Sequence, residues 1–174
     1  VADAKGVYVE DLTAVILNRP RHEQLIREVR EAGARIKLIP EGDVAAALAT
    51  CIDETGLDIL LGVGGAMEGV IAAAALRCVG GDMVAKIQPR NAEESERARV
   101  LELDLDRNYA IEELAGGDVL FAATGITDGD ILSGVRFMRG GAVTHSLVMR
   151  SKTMTVRRIE TNHRFEAEPD YAAL

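Results

Sequence analysis

The run Leu57 to Val79 (LDILLGVGGAMEGVIAAAALRCV) constrains the fold more than any other part of the chain. An apolar stretch, Leu57 to Leu61, leads into Gly62-Val63-Gly64-Gly65-Ala66-Met67-Glu68-Gly69, and a small-residue helical run, Val70 to Val79, leads out. That order predicts a buried strand, a glycine turn and a helix N-terminus. Glycines let a backbone approach a ligand closely, and the unpaired N–H groups of a helix start favour anions. Glu68 adds one carboxylate at the mouth of the turn. A carboxylate beside an anion cradle is also what a divalent metal needs to sit between protein and phosphate. A plain tight turn, with Glu68 complementing the helix dipole, explains the same residues.

The rest of the chain repeats the alternation. Leu12 to Leu17 reads as a first buried strand, stopped at Asn18-Arg19-Pro20-Arg21-His22, where proline ends the ladder and opens a helix. Leu25, Ile26 and Val29 recur at helical spacing and Gly33 is placed to end that helix. Arg35 to Ile39 reads as strand two, Asp43 as the cap of a helix over Val44 to Ile52, and Met83 to Ile87 as strand four. Asn91 with Glu94 resembles a capping box before a charged helix. Leu101 to Ala115 reads as a connector with a short helix, and Val119 to Ala123 as strand five, ending at Thr124-Gly125-Ile126-Thr127-Asp128-Gly129-Asp130. Val143 to Arg150 and Thr153 to Thr161 alternate and read as an antiparallel hairpin. The expected fold is α/β: a mostly parallel sheet sandwiched by helices, with an antiparallel C-terminal hairpin. Residues 1–165 are expected to form one domain, followed by an acidic tail over residues 166–174.

Composition excludes several functions. A net charge of −8 argues against a general nucleic-acid binder, because phosphate backbones need a basic face. No apolar run approaches the length of a membrane span, and no signal-peptide pattern opens the chain. Val1 stands where an initiator methionine is expected, so the start is expected to be processed or excised. Cys51 and Cys78 fall in apolar helical runs without metal-ligand spacing, and read as small core residues in a reducing compartment. His22, His145 and His163 are scattered and read as ordinary surface or strand histidines.

Ligands of open α/β sheets bind at the carboxyl ends of the strands. The polar turns there carry Arg19 and Arg21, Glu41 and Asp43, Glu68, and Asp128 and Asp130. Arg19-Pro20-Arg21 holds two guanidiniums in a stiff turn, suited to forked hydrogen bonds with a phosphate or simply facing solvent. Asp43 suits sugar hydroxyls or helix capping. Asp128 and Asp130 have the spacing of metal ligands and also of turn and cap residues. A dinucleotide fingerprint starting at Gly62 and Gly64 would need its third glycine at position 67, where Met67 stands. The carboxylate that follows at once would repel a pyrophosphate unless a metal intervened.

At these residues the chain resembles the class II fructose-1,6-bisphosphatases, including relatives that also accept sedoheptulose bisphosphate. The resemblance rests on Arg19-Pro20-Arg21-His22, Glu41-Gly42-Asp43-Val44-Ala45-Ala46, Gly62 to Ala74, Ala122 to Asp130 and the hairpin ending Arg157-Arg158-Ile159-Glu160. It implies that the chain matches the C-terminal half of such an enzyme, with a sugar-phosphatase-like C-terminal domain. The N-terminal half of the family supplies most of the metal-binding carboxylates. Carried over, the resemblance makes Arg19, Pro20, Arg21, Glu41, Gly42, Asp43 and Gly65 substrate contacts, and Glu68 the metal ligand from this half. No residue of this half carries over as catalytic. Two departures stand out: Glu41 replaces a usual aspartate and Met67 a usual proline. The implied activity is hydrolysis of the 1-phosphate of fructose 1,6-bisphosphate with Mg²⁺ or Mn²⁺, in gluconeogenesis or Calvin-type carbon metabolism. A cytoplasmic homo-oligomer is the implied setting. A non-catalytic sugar-phosphate-binding or assembly domain is the alternative.

Overall fold

Every residue from Ala14 to Leu17 is buried. Successive side chains of a strand face opposite ways, so a strand buried at both parities is covered on both sides. After a short helix α1 (Ala2–Lys5), this strand, β1 (Thr13–Leu17), forms the centre of a three-stranded parallel sheet. Pro20 opens one 3-10 turn, and α2 (Glu23–Glu31) follows. Gly33, at φ 92, then turns the chain in the left-handed region that glycine enters without a Cβ penalty. β2 (Arg35–Ile39) pairs with β1 from Thr13↔Arg35 to Leu17↔Ile39. After α3 (Asp43–Ala49), β3 (Ile59–Leu60) pairs with the other edge of β1, and α4 (Ala66–Arg77) follows. The order β2-β1-β3 sends the chain first one way and then the other from β1. Right-handed crossovers therefore put α2 and α3 on opposite faces.

Alanine shapes the layer beneath. Val15 packs with Ala46 and Ala49 of α3, while Ala47 meets Ala72, Ala73 and Leu76 of α4. Such short side chains let two helices lie close together. Their far side, Leu48, Ala75 and Cys78, is covered by Leu147 and Met149. Those two belong to a second, antiparallel sheet. After β4 (Val84–Lys86), α5 (Ala92–Val100), β5 (Asn108–Ala110) and α6 (Ile111–Leu114), it comprises β6 (Leu120–Thr124), β7 (Arg136–Met138), β8 (Gly141–Arg150) and β9 (Thr155–Arg164). β8 carries β9 along its whole length on one side, and β6 and β7 on the other. The α3–α4 layer thus lies between two sheets.

The computed structural model describes residues 1–165, and the expected acidic tail lies outside them. Within those residues the fold is α/β, with a parallel sheet, helices and a C-terminal antiparallel hairpin, as the sequence predicts. The parallel part is narrower than expected. β4 pairs antiparallel with β5, and β6 pairs antiparallel with β8, so neither extends the β1 sheet. β6 shows why, since its residues alternate between exposed and half-buried, the pattern of a strand with one solvated face. Cys78 is buried, but Cys51 is exposed, because α3 stops at Ala49 and the chain leaves the seam between the helices.

Candidate functional site

Three turns leave the carboxyl ends of the parallel strands, at residues 18–22, 40–42 and 61–65. Because β1 lies between β2 and β3, its turn adjoins the glycine turn at the point where the chain changes direction, the position where open α/β sheets form a crevice. The two turns are physically joined. Arg21 donates from Nε to the Val63 carbonyl at 2.8 Å. His22, only 1% exposed, makes contact with the Leu17 carbonyl through Nδ1 at 2.8 Å and accepts from the Val63 N–H at Nε2 at 2.9 Å. Gly62 packs close to the imidazole: a Cβ there would stand 3.2 Å from His22 Cε1.

The second turn meets the glycine turn through Asp43. Gly42, at φ 88, takes the N-cap position, so α3 starts one residue earlier than expected and Asp43 is its first residue rather than its cap. Its Oδ1 accepts from the Val44 N–H at 3.0 Å. Its Oδ2 faces Gly64, where an added Cβ would come within 3.1 Å. Gly65 is the N-cap of α4, and no side chain caps that helix. Glu68, in the first turn of α4, folds its carboxylate back against Gly65, so a Cβ on Gly65 would overlap it. Each glycine of the turn thus admits a different neighbour: His22, Asp43 and Glu68.

The remaining candidates fall into place less tightly. Arg19 is extended and exposed, with Nη1 3.4 Å from the Asn18 carbonyl, and Pro20 stands at the start of the 3-10 turn. Glu41 is exposed. Asp128 and Asp130 serve other contacts. Asp128 accepts from the Gly134 N–H at 2.9 Å and closes its own loop, and Asp130 pairs with Lys37 of β2 at 2.7 Å. The residue missed by sequence reasoning is His22. Its neighbours Arg21 and Glu23 are exposed, and the burial comes from the glycine turn folding over it. The one signal available was its place directly after a turn already marked by two arginines.

Chemically, this crevice offers an arginine turn, an uncapped helix N-terminus and two carboxylates, Asp43 and Glu68. Arginine and a helix start suit a phosphate, and a carboxylate suits hydroxyl groups. Among the described residues, no group of three or more His, Cys, Asp or Glu side chains is placed to hold a metal ion. A divalent cation wants about six oxygens, so these residues do not build a metal site on their own.

Fold and turns together define an α/β domain of the kind that carries its ligand where parallel strands end. The chain belongs to the family described as bacterial fructose-1,6-bisphosphatase, glpX-encoded, which it matches over residues 1–163. It is 46% identical over 177 residues to the D-fructose 1,6-bisphosphatase class 2/sedoheptulose 1,7-bisphosphatase of Synechococcus sp. (strain JA-3-3Ab), covering 94% of this chain and 51% of that protein. The protein of the same description from Microcystis aeruginosa (strain NIES-843 / IAM M-2473) is 43% identical over 188 residues, covering 100% of this chain and 54% of its own length. The chain therefore spans about half the length of the curated relatives it matches.

Proposed function

We propose that residues 1–165 are the sugar-phosphate-binding half of a metal-dependent class II fructose-1,6-bisphosphatase. The observation that carries this reading is the pair of hydrogen bonds at Val63, one to its carbonyl and one from its N–H, which sets the arginine turn against the open N-terminus of α4. In this reading Arg19 and Arg21 hold a phosphate of the substrate, with Pro20 stiffening their turn. Asp43 orients sugar hydroxyls, Gly42 and Gly65 let the backbone come close, and Glu41 contacts substrate from the rim. Glu68 contributes one oxygen to Mg²⁺ or Mn²⁺. The other ligands come from an N-terminal half, on the same polypeptide or a separate one. The substrate is fructose 1,6-bisphosphate or sedoheptulose 1,7-bisphosphate, and the assembled enzyme is a cytoplasmic homo-oligomer. No helix among the described residues is long and apolar enough to cross a membrane.

A second reading, a non-catalytic sugar-phosphate-binding or assembly domain, draws on the same shortage of metal ligands among the described residues. Calorimetry with fructose 1,6-bisphosphate and a phosphate-release assay with Mn²⁺ test both. The 174-residue chain is expected to bind weakly and release no phosphate. Adding the N-terminal half of a relative is expected to start phosphate release. Release only on that addition supports the enzyme reading, and its continued absence favours the binding domain. No binding by the folded chain would remove both.

A further inference from the structure

We infer that His22 is a positioning residue, whose Nδ1–H tautomer locks the arginine turn to the glycine turn and so sets where Arg21 and the N-terminus of α4 meet a phosphate. The inference rests on the reading of this crevice as a sugar-phosphate site.

His22 is the buried polar side chain of the described core. A buried imidazole needs a partner at each nitrogen, and its two partners here fix its form. The Leu17 carbonyl can only accept, so the Nδ1 at 2.8 Å carries the hydrogen. The Val63 N–H can only donate, so the Nε2 at 2.9 Å presents its lone pair. Two consecutive peptide groups of the glycine turn are then held. His22 holds the one before Val63 through its N–H, and Arg21 holds the one after through the Val63 carbonyl, at 2.8 Å. With Nε committed to that carbonyl, the terminal nitrogens of Arg21 are left to meet an anion. A turn held at both peptides presents its remaining N–H groups without reorganising, which is what precise anion binding requires. Gly62 belongs to the same device, because a Cβ there would stand 3.2 Å from the ring, which would have to give by a few tenths of an ångström.

Two amide substitutions separate the halves of this lock. The amide of asparagine overlies Nδ1 of a histidine and that of glutamine reaches Nε2. His22→Asn therefore keeps the donor to Leu17 and loses the acceptor for Val63, and His22→Gln does the reverse. Both lower the melting temperature. With fructose 1,6-bisphosphate as probe, below either melting temperature, His22→Asn should lose roughly tenfold in affinity and His22→Gln should stay within about twofold of wild type. Amide hydrogen exchange at Val63 should be fast in His22→Asn only, and imidazole ¹⁵N spectra of the wild type should show Nδ1–H. Equal affinities in all three proteins would overturn the inference, as would an Nε2–H imidazole. If the wild type binds no fructose 1,6-bisphosphate, the crevice reading fails. The exchange arm still decides whether His22 holds the turn, and protection of Val63 surviving in His22→Asn would show that it does not.

Discussion

Arg21→Ala separates binding from folding at this site. In the free protein the guanidinium makes a single bond to the core of the site, Nε to the Val63 carbonyl, and the side chain is exposed. A neutral acceptor near solvent returns most of such a bond to water, so its loss should cost the fold about 0.5–1.5 kcal/mol. For a chain of this size that lowers the melting temperature by roughly 1–6 °C. A charged hydrogen bond to phosphate is worth more, about 1.5–3 kcal/mol, or roughly 10- to 150-fold in dissociation constant. Calorimetry with fructose 1,6-bisphosphate, paired with thermal melts of both proteins, reads the two quantities. Arg21→Lys should fall between, because it keeps the charge and loses the fork. Raising the salt concentration should narrow the gap between wild type and Arg21→Ala, as expected for a charge in contact with solvent. An unchanged dissociation constant together with a lowered melting temperature would refute the reasoning and assign Arg21 to structure alone.

Glu68→Gln removes a negative charge from the mouth of the cradle, so without divalent metal it should tighten fructose 1,6-bisphosphate binding by roughly two- to fivefold. In the chain joined to its N-terminal half, the same substitution should weaken Mn²⁺-dependent phosphate release, and an undiminished rate would exclude Glu68 as a ligand. In α5, hydrogen bonding to Arg90 holds the Glu94 carboxyl down at about 2. A folded value below the unfolded one gives stability that is present above about pH 4.5 and lost as pH falls toward 2. Amide protection in α5 should therefore fade across that window in wild type and fade less in Glu94→Gln, where the Arg99-paired Glu96, also held below its ordinary value, remains. Thiol titration should find one reactive cysteine in the folded chain and two after denaturation. Cys51 is exposed as a residue, but its sulfur lies against Gly81, and that partial desolvation raises the thiol above its ordinary value, so the site should react slowly near neutral pH.

The legible parts of this fold are those whose partners lie nearby in sequence. β1, β2 and the turn around Pro20 follow from β-branched apolar runs and from proline, and Arg35–Ile39 matches its expected span. Asn91 accepts from the Glu94 N–H at 2.9 Å, as its spacing predicts. β5 and β7 were not legible. They are three-residue strands, Asn-Tyr-Ala and Arg-Phe-Met, too short to show a period: β5 is made a strand by β4, more than twenty residues earlier, and β7 by its tight hairpin with the start of β8. Sheet membership was hidden as well, since Leu120–Thr124 reads as a strand without naming β8 as its neighbour. At the site, Arg21, Asp43 and Glu68 were legible as chemistry, and the glycine turn does gather them. Asp128 and Asp130 were not separable from site residues, because no pattern distinguishes a carboxylate that closes its own loop onto Gly134 from a ligand, and the Lys37 that engages Asp130 lies over ninety residues away. His22 stayed hidden because its burial is made by a turn some forty residues later, through contacts that no local pattern records.

The central claim is that a sugar phosphate sits between the arginine turn and the start of α4. Amide chemical-shift mapping of the ¹⁵N-labelled chain, titrated with fructose 1,6-bisphosphate, tests it most directly. The account predicts saturable shifts concentrated at Arg21, Asp43 and Gly64 to Glu68, absent from β9 and the Asp128–Asp130 turn, and lost in Arg21→Ala. Saturable shifts centred anywhere else on the folded chain would contradict it.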